Sequence, residues 1–390
     1  MNHGGTAADG PARAGDAFGA DLHRVLAGTD PVNLVFSPVS IAAALQMALL
    51  GARDETAAEL ARALHLAGPE AAAPALRLLG GTIGEAVDQA AAAGRGDFTF
   101  RAPSTMWVQS GLPLQPQFLA EITGAAAGAV HDADFVHEPE KARDEINRLI
   151  AGQTADKLRD LIPPGVLDSF TRLVLANAIY LKAAWANKFP AGATDEMPFH
   201  LAPGGGSVQV PMMHLTSNCG YRRADGYQVV LLPYADVPLA MAIVLPDGPL
   251  APLSEALGDG GIRGLLDGVQ PARVRLSMPR FRITAQFSLK QALQRLGVVR
   301  AFDDRRADFG RLTTAEQLYI SHVLHKAFID VDENGTEAAA ATAVVVSAVA
   351  HRIQPEPVTV TVDRPFLFAI TDTAAGLPFF LGQVANPAAG

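Results

Sequence analysis

The stretch Asp330-Val331-Asp332-Glu333-Asn334-Gly335-Thr336-Glu337-Ala338-Ala339-Ala340-Ala341-Thr342-Ala343-Val344-Val345-Val346-Ser347-Ala348-Val349-Ala350-His351-Arg352 decides how the rest of the chain is read. It opens acidic and turn-like, passes through alanines that favour helix, and runs into valines that favour strand. The apolar run is too short to span a bilayer. Two readings follow: a buried helix or strand, or a mobile segment that must fit into a sheet later. A calcium loop is rejected. Asp330-x-Asp332-x-Asn334-Gly335 starts like one, but its twelfth position needs a bidentate Glu and is Ala341. Asn334-Gly335-Thr336 spells a glycosylation sequon, and the same letters make a turn, which is the reading adopted.

The surrounding chain is 390 residues long, 49% hydrophobic and 18% charged, the balance of a globular protein with a large core. A formal charge of -9 without a basic block argues against nucleic acid or an anionic membrane surface as partner. Cys219 is the sole cysteine, so no intrachain disulfide forms, and it reads as a small core residue. Residues 1–15 are Gly/Ala-rich and lack the basic and apolar regions of a secretory signal. They read as a flexible tail before a single domain over 16–390, in a protein that is cytoplasmic or exported by a non-standard route.

Working along the chain, Asp16 reads as the cap of a helix with Phe18, Leu22, Val25 and Leu26 inward, ended by Gly28-Thr29-Asp30-Pro31. Ser37-Pro38 opens a helix over 39–50 that is apolar nearly all round and should be buried. Another helix from Asp54 or Glu55 turns Ala58, Leu60, Ala61 and Leu64 inward. An amphipathic helix over 141–152 does the same with Ile146, Leu149 and Ile150. Residues 98–108 read as a strand. Residues 173–181 form a continuous apolar strand covered on both faces, and its one polar residue, Asn177, needs buried partners. From residue 199 strands dominate, with a hairpin tip at 203–206 and a helix over 287–296 closed by Gly297. Helices crowd the first third and strands the rest, which predicts an α+β protein with large antiparallel or mixed sheets.

No enzyme signature emerges. His131, Asp132, Asp134 and His137 have a spacing that fits no tight metal site. Nucleophile elbow, zincin, P-loop and dinucleotide motifs are missing, and Ser, His and Asp residues without placement are not a triad. No metal or cofactor is expected.

Five segments, in order and spacing, resemble the serpins, the serine protease inhibitor family. They are Asn33-Leu34-Val35-Phe36-Ser37-Pro38-Val39-Ser40-Ile41; Leu175-Ala176-Asn177-Ala178-Ile179-Tyr180-Leu181-Lys182-Ala183-Ala184-Trp185; His325-Lys326-Ala327-Phe328-Ile329-Asp330-Val331-Asp332-Glu333; Asp363-Arg364-Pro365-Phe366-Leu367-Phe368; and Phe379-Phe380-Leu381-Gly382-Gln383-Val384-Ala385-Asn386-Pro387. The resemblance runs over residues 16–387. It implies a serpin fold of three β-sheets and about nine helices, with an exposed reactive-centre loop over about 333–357, in a monomer without cofactor. It also implies a mechanism. A target serine protease attacks the loop and forms a covalent acyl complex; the cleaved loop then inserts into the main sheet as a new strand and distorts the attached protease. Serpin loop insertion is a known instance of strand addition and of released strain. The inhibitor is then not an enzyme, because the protease supplies the catalytic groups.

The same resemblance assigns roles within the opening stretch. Glu333, Gly335, Thr336, Ala338, Ala339, Ala340 and Ala341 match the family's hinge. In an inserted strand Thr336, Ala338, Ala340, Thr342, Val344 and Val346 share one face and are all small or β-branched, while Glu337 falls on the other. Ser37, Ser40, Asn177 and His325 match a buried polar "shutter"; Trp185, Arg280 and Glu333 match the "breach" at the top of the sheet, with an Arg280–Glu333 ion pair. Counting from Glu333 places the scissile bond at Val349-Ala350, which implies an elastase- or subtilisin-like target. Counting back from Pro365-Phe366 places it later, toward Arg352-Ile353. A non-inhibitory serpin of binding or chaperone type is the alternative, and the small hinge residues speak for inhibition.

Overall fold

The computed structural model describes residues 9–28, 32–92, 98–125, 128–202, 205–336, 356–374 and 376–389. The hinge alanines Ala338, Ala339, Ala340 and Ala341 and the bond Val349-Ala350 lie outside the described residues. Helix α1 (Asp9–Ala27) starts ahead of the expected cap and ends before Gly28, whose φ is +63°. Asp16 therefore sits inside α1, 3% exposed, and caps a different helix. Its carboxylate accepts from the backbone N–H of Ile262 at 2.8 Å and of Arg263 at 3.1 Å.

Strand β1 (Leu34–Phe36) leads into α2 (Pro38–Gly51), in which every residue is buried. Ser37 caps α2 by accepting the Ser40 N–H at 3.1 Å, and Pro38 occupies the first turn, where a missing N–H costs nothing. In α3 (Asp54–Ala63) the inward face is Thr56, Ala57, Leu60 and Ala61, and Ala58 is only half-buried. After α4 (Ala72–Ala92), the strand expected over 98–108 is two, β2 (Thr99–Arg101) and β3 (Ser104–Gln109). Pro103 divides them because proline cannot donate to a ladder. Next come α5 (Pro116–Ala125), β4 (Ala129–Ala133), α6 (Pro139–Gln153) and β5 (Leu173–Ala184). The middle of the chain supplies β6 (Asp195–His200), β7 (Ser207–Ala224), β8 (Tyr227–Pro233), β9 (Leu239–Pro246), α7 (Ala251–Leu266), β10 (Gln270–Pro279) and β11 (Phe281–Ser288). It closes with α8 (Lys290–Arg295), β12 (Ile320–Val331), β13 (Gly335–Thr336), β14 (Val358–Thr361), β15 (Phe366–Asp372) and β16 (Pro378–Val384). The helix expected over 287–296 thus begins at Lys290. Phe287 belongs to β11, opposite His325 of β12, since Phe281, Ile283 and Phe287 keep a period of two. Helix α7 is broken at Gly261, whose φ is +65°; its second half is the one Asp16 caps.

The main sheet has seven strands in the order β11-β12-β13-β5-β3-β4, with β2 also paired to β5. The other nine strands run β1-β16-β15-β9-β8-β7-β10-β14, with β6 on β7. Strand β7 changes partners along its length: residues 207–212 pair with β6 and residues 220–224 with β8. The nine strands are therefore two sheets joined through β7, and with the main sheet make three. Helix α2 packs against β3 and β5 on one side and β16 on the other, which is why it is apolar all round. On the opposite face of β5, Val174, Ala176 and Ala178 meet Ile146 and Ile150 of α6. This double cover explains the unbroken apolar run of β5. Among the described residues no helix is long and apolar enough to cross a membrane.

Candidate functional site

The site is the seam between β12 and β5. Below, the two strands pair directly and in parallel, from Ile320 opposite Leu173 to Ala327 opposite Ile179. Above, β13 separates them: Thr336 pairs antiparallel with Val331 of β12, and Gly335 and Thr336 pair antiparallel with Ala184 and Ala183 of β5. The first residues after Glu333 thus already occupy the top of the seam. Gly335 is required there. A Cβ at this position would lie 2.0 Å from the Ala183 carbonyl oxygen, and its φ is +156°. Asp332 shapes the preceding turn by accepting from the N–H of Asn334 at 2.7 Å and of Gly335 at 3.2 Å. The residues of the rejected calcium loop therefore make a turn.

Around this opening the three residues expected at the breach, Trp185, Arg280 and Glu333, come together. The Glu333 carboxylate accepts from Arg280 Nε at 2.9 Å, from Arg280 Nη2, and from the Thr194 hydroxyl. The Glu333 side chain is 6% exposed and Arg280 44%. Burial pushes the Glu333 carboxyl up, but the bonds from Arg280 and Thr194 outweigh it and hold the carboxyl below its ordinary value. Trp185 Nε1 donates to Asp332 O at 2.9 Å, and the Trp185 backbone N–H donates to Asn334 O at 2.9 Å. The indole stacks on Tyr234 with centroids 4.7 Å apart, and the Tyr234 hydroxyl meets Thr336 Oγ1 at 2.6 Å. Burial raises the Tyr234 pKa, so the phenol stays protonated. Thr194 and Tyr234 were not singled out from the sequence, where nothing marks either one: they follow a turn and a strand end and meet the hinge only in the fold.

Lower in the seam, His325 of β12 stands directly opposite Asn177 of β5. His325 Nδ1 donates to Asn177 Oδ1, and His325 Nε2 accepts the Ser37 N–H at 3.1 Å. These bonds define a neutral ring, and burial pushes its pKa down to about 3. Ser40 Oγ lies 3.4 Å from Asn177 Oδ1, and Ser104, a further member of the cluster, donates from Oγ to Ser40 O at 3.1 Å. Ser37, Ser40, Asn177 and His325 are therefore one buried group, and its His325–Asn177 bond bridges the two strands of the seam. Asn177 Nδ2 is buried and has no hydrogen bond among the described residues, which leave this amide of the cluster unsatisfied.

The remaining candidates do not gather here. His131 stacks on Trp107 at 4.5 Å, and His137 pairs with Asp134 at 3.1 Å. Cys219 is buried, and burial pushes its thiol up to about 11. Ser277, His214 and Asp195 form a hydrogen-bonded row, 2.8 Å at each contact, which ties β10, β7 and β6 together beside Thr194.

An α+β fold whose main sheet takes the start of a long segment into its central seam defines a narrow class of protein. The chain belongs to the serpin (serine protease inhibitor) family, which matches residues 13–387. It is 37% identical over 374 residues to an uncharacterized serpin-like protein of Thermococcus kodakarensis, covering 95% of this chain and 84% of that one. It is 32% identical over 389 residues to the leukocyte elastase inhibitor of Homo sapiens, covering 96% of this chain and 98% of that one. Among solved structures, a highly specific serpin of the insect Tenebrio molitor superposes with a TM-score of 0.82 at 27% identity, over 98% of this chain and 100% of that one.

Proposed function

We propose that the chain is a suicide-substrate inhibitor of serine proteases and is not itself an enzyme. The observation that carries this reading is the seam. Strands β12 and β5 are parallel to each other, and β13 enters antiparallel to both. Continuing β13 downward would turn one parallel interface into two antiparallel ones, which are slightly more stable per residue. The residues that would follow are small or β-branched on the inward face.

The protease serine hydroxyl attacks the carbonyl carbon of Val349, the Val349–Ala350 C–N bond breaks, and the new Ala350 amine takes the proton. The acyl ester then tethers the protease to a loop that is free to insert. Insertion breaks the His325–Asn177 bridge and draws the protease away before water can cleave the ester. The small apolar Val349 fits an elastase- or subtilisin-like pocket, and the elastase inhibitor among the relatives supports that choice. A monomer suffices, since hinge, seam and shutter lie in one chain.

Incubation with elastase, subtilisin and trypsin, followed by a denaturing gel, tests the proposal. A stable covalent band with elastase or subtilisin, and a released peptide whose mass begins at Ala350, is the expected result. A peptide beginning at Ile353 moves the bond to Arg352. Cleavage by every protease without a covalent band points to the binding or chaperone-type serpin instead.

A further inference from the structure

A cavity of about 760 Å³ lies between the end of α1, the start of α7 and the end of β6. That is the size of sites that hold small organic ligands. Its walls are mainly apolar, with Ala27, Leu201, Leu250 and Pro365 among them. Arg24 and Arg364 bring two guanidinium groups to its lining, which also holds the carboxylate of Glu255. Arg24 is shared with Asp21. Arg364 is the anchored cation: its Nε donates to Pro246 O at 2.8 Å and its Nη1 to Asp363 Oδ1 at 2.7 Å. Those two bonds fix the guanidinium plane and leave Nη2 without a hydrogen bond among the described residues, on a side chain that is 30% exposed. Asp363 is itself placed by the His200 N–H, which donates to Asp363 O at 2.7 Å. Helix α7 begins in the same cavity with Leu250 at its cap position and no side-chain cap among the described residues, so the positive end of the helix dipole adds to the arginine.

We propose that this cavity binds a single-headed anionic amphiphile, a carboxylate on an apolar chain of medium length. The head pairs with the free edge of Arg364 near the start of α7, and the chain lies along Leu201, Leu250 and Pro365. The site shares no residue with the seam, the breach or the shutter, so it stands apart from the proposed inhibition. A preordered arginine with one open edge beside apolar walls recognises charge and hydrocarbon together. A neutral molecule of the same shape gains only the second.

Calorimetric titration of the full chain with decanoate and with decanamide, its uncharged counterpart, tests this. Decanoate is expected to bind one to one, and decanamide about tenfold or more weakly, since a hydrogen bond to a charged group contributes that much. Arg364→Gln is expected to weaken decanoate about tenfold and leave decanamide unchanged. Ser254→Trp, which fills the cavity from α7, is expected to abolish both. Absence of decanoate binding to the wild-type chain, or equal binding of the two molecules, would overturn the proposal. So would undiminished decanoate binding in Arg364→Gln. If Arg364→Gln melts as an unfolded chain, Ser254→Trp carries the test alone, and decanoate binding retained there counts against the site.

Discussion

Thr336→Arg isolates the hinge from the rest of the mechanism. Thr336 is fully buried, it pairs with both Val331 and Ala183, and its hydroxyl bonds Tyr234 at 2.6 Å. Replacement removes that bond and leaves the Tyr234 hydroxyl buried without it, a loss of about 1–3 kcal/mol. Forcing a guanidinium into the sheet at this point adds several kcal/mol more. Before cleavage the variant can release the hinge from the seam, which spares the buried charge but gives up the β13 pairings and the Tyr234 bond, so the uncleaved protein should melt somewhat below the wild type. After cleavage the cost cannot be avoided, because insertion must begin at this residue. A total of about 5 kcal/mol slows insertion by roughly 10³ to 10⁴, at 1.36 kcal/mol per tenfold. Deacylation then wins, and the inhibitor becomes a substrate. The assay is a titration of protease against inhibitor, read by residual activity and by denaturing gel. Thr336→Ser, which keeps the hydroxyl, should still trap. Undiminished covalent complex from Thr336→Arg, at the wild-type stoichiometry, would refute the argument that insertion starts at β13.

Further predictions concern the breach, the shutter and the first helix. Arg280→Met leaves the Glu333 carboxylate nearly buried without its cation and should destabilise the uncleaved protein by about 1–3 kcal/mol in urea. The exposure of Arg280 keeps the effect below that of a fully buried pair, and a loss near zero would count against the pairing. His325 has a folded pKa of about 3 against 6.5 unfolded, so the stability it contributes is present above pH 6.5 and falls away as pH drops through 3. His23, lowered by burial to about 4, acts with the same sign. Urea unfolding across pH 4–7 should therefore show stability falling with acid, less steeply in His325→Gln; equal slopes would contradict the burial argument. Asp16 is raised by burial to about 6 from 3.8, against the pull of the Arg263 and Ile262 amides. Its contribution is fully present below about pH 4 and is lost as pH rises through 6, so Asp16→Asn should gain on the wild type above pH 6 by on the order of 3 kcal/mol. A constant difference across that range would show that the carboxyl does not titrate in the fold.

The parts of the fold legible in the sequence are those whose pattern is local. The all-round apolar α2, the continuous β5, and the Ser37-Pro38 start each carry their own signal; α2 is found within a residue at either end, and β5 starts at the expected Leu173 but runs three residues further, to Ala184. Asp16 was misplaced because an aspartate before an apolar helix is a good cap, and its true partners, Ile262 and Arg263, are 246 and 247 positions away. Gly258, Gly260, Gly261 and Gly264 obscure the period of helix α7, and the eighteen residues of β7 alternate too weakly to read as one strand. The seam was legible only by resemblance. Asn177 announced that it needed buried partners, but that one of them would be His325, on the strand across the seam, depends on the register of two strands far apart in sequence. Thr194, Tyr234 and Ser104 complete the breach and shutter contacts through tertiary placement alone.

The central claim is that the cleaved loop becomes a strand between β12 and β5. Thermal unfolding before and after a single cut in residues 337–355 tests it directly. If the loop inserts, the cut protein gains backbone pairing and buried surface and melts higher. In a chain of 390 residues a net gain of roughly 8 kcal/mol raises the midpoint by about 10 °C. A cut protein that melts at the same temperature as the intact one, or lower, would contradict the account.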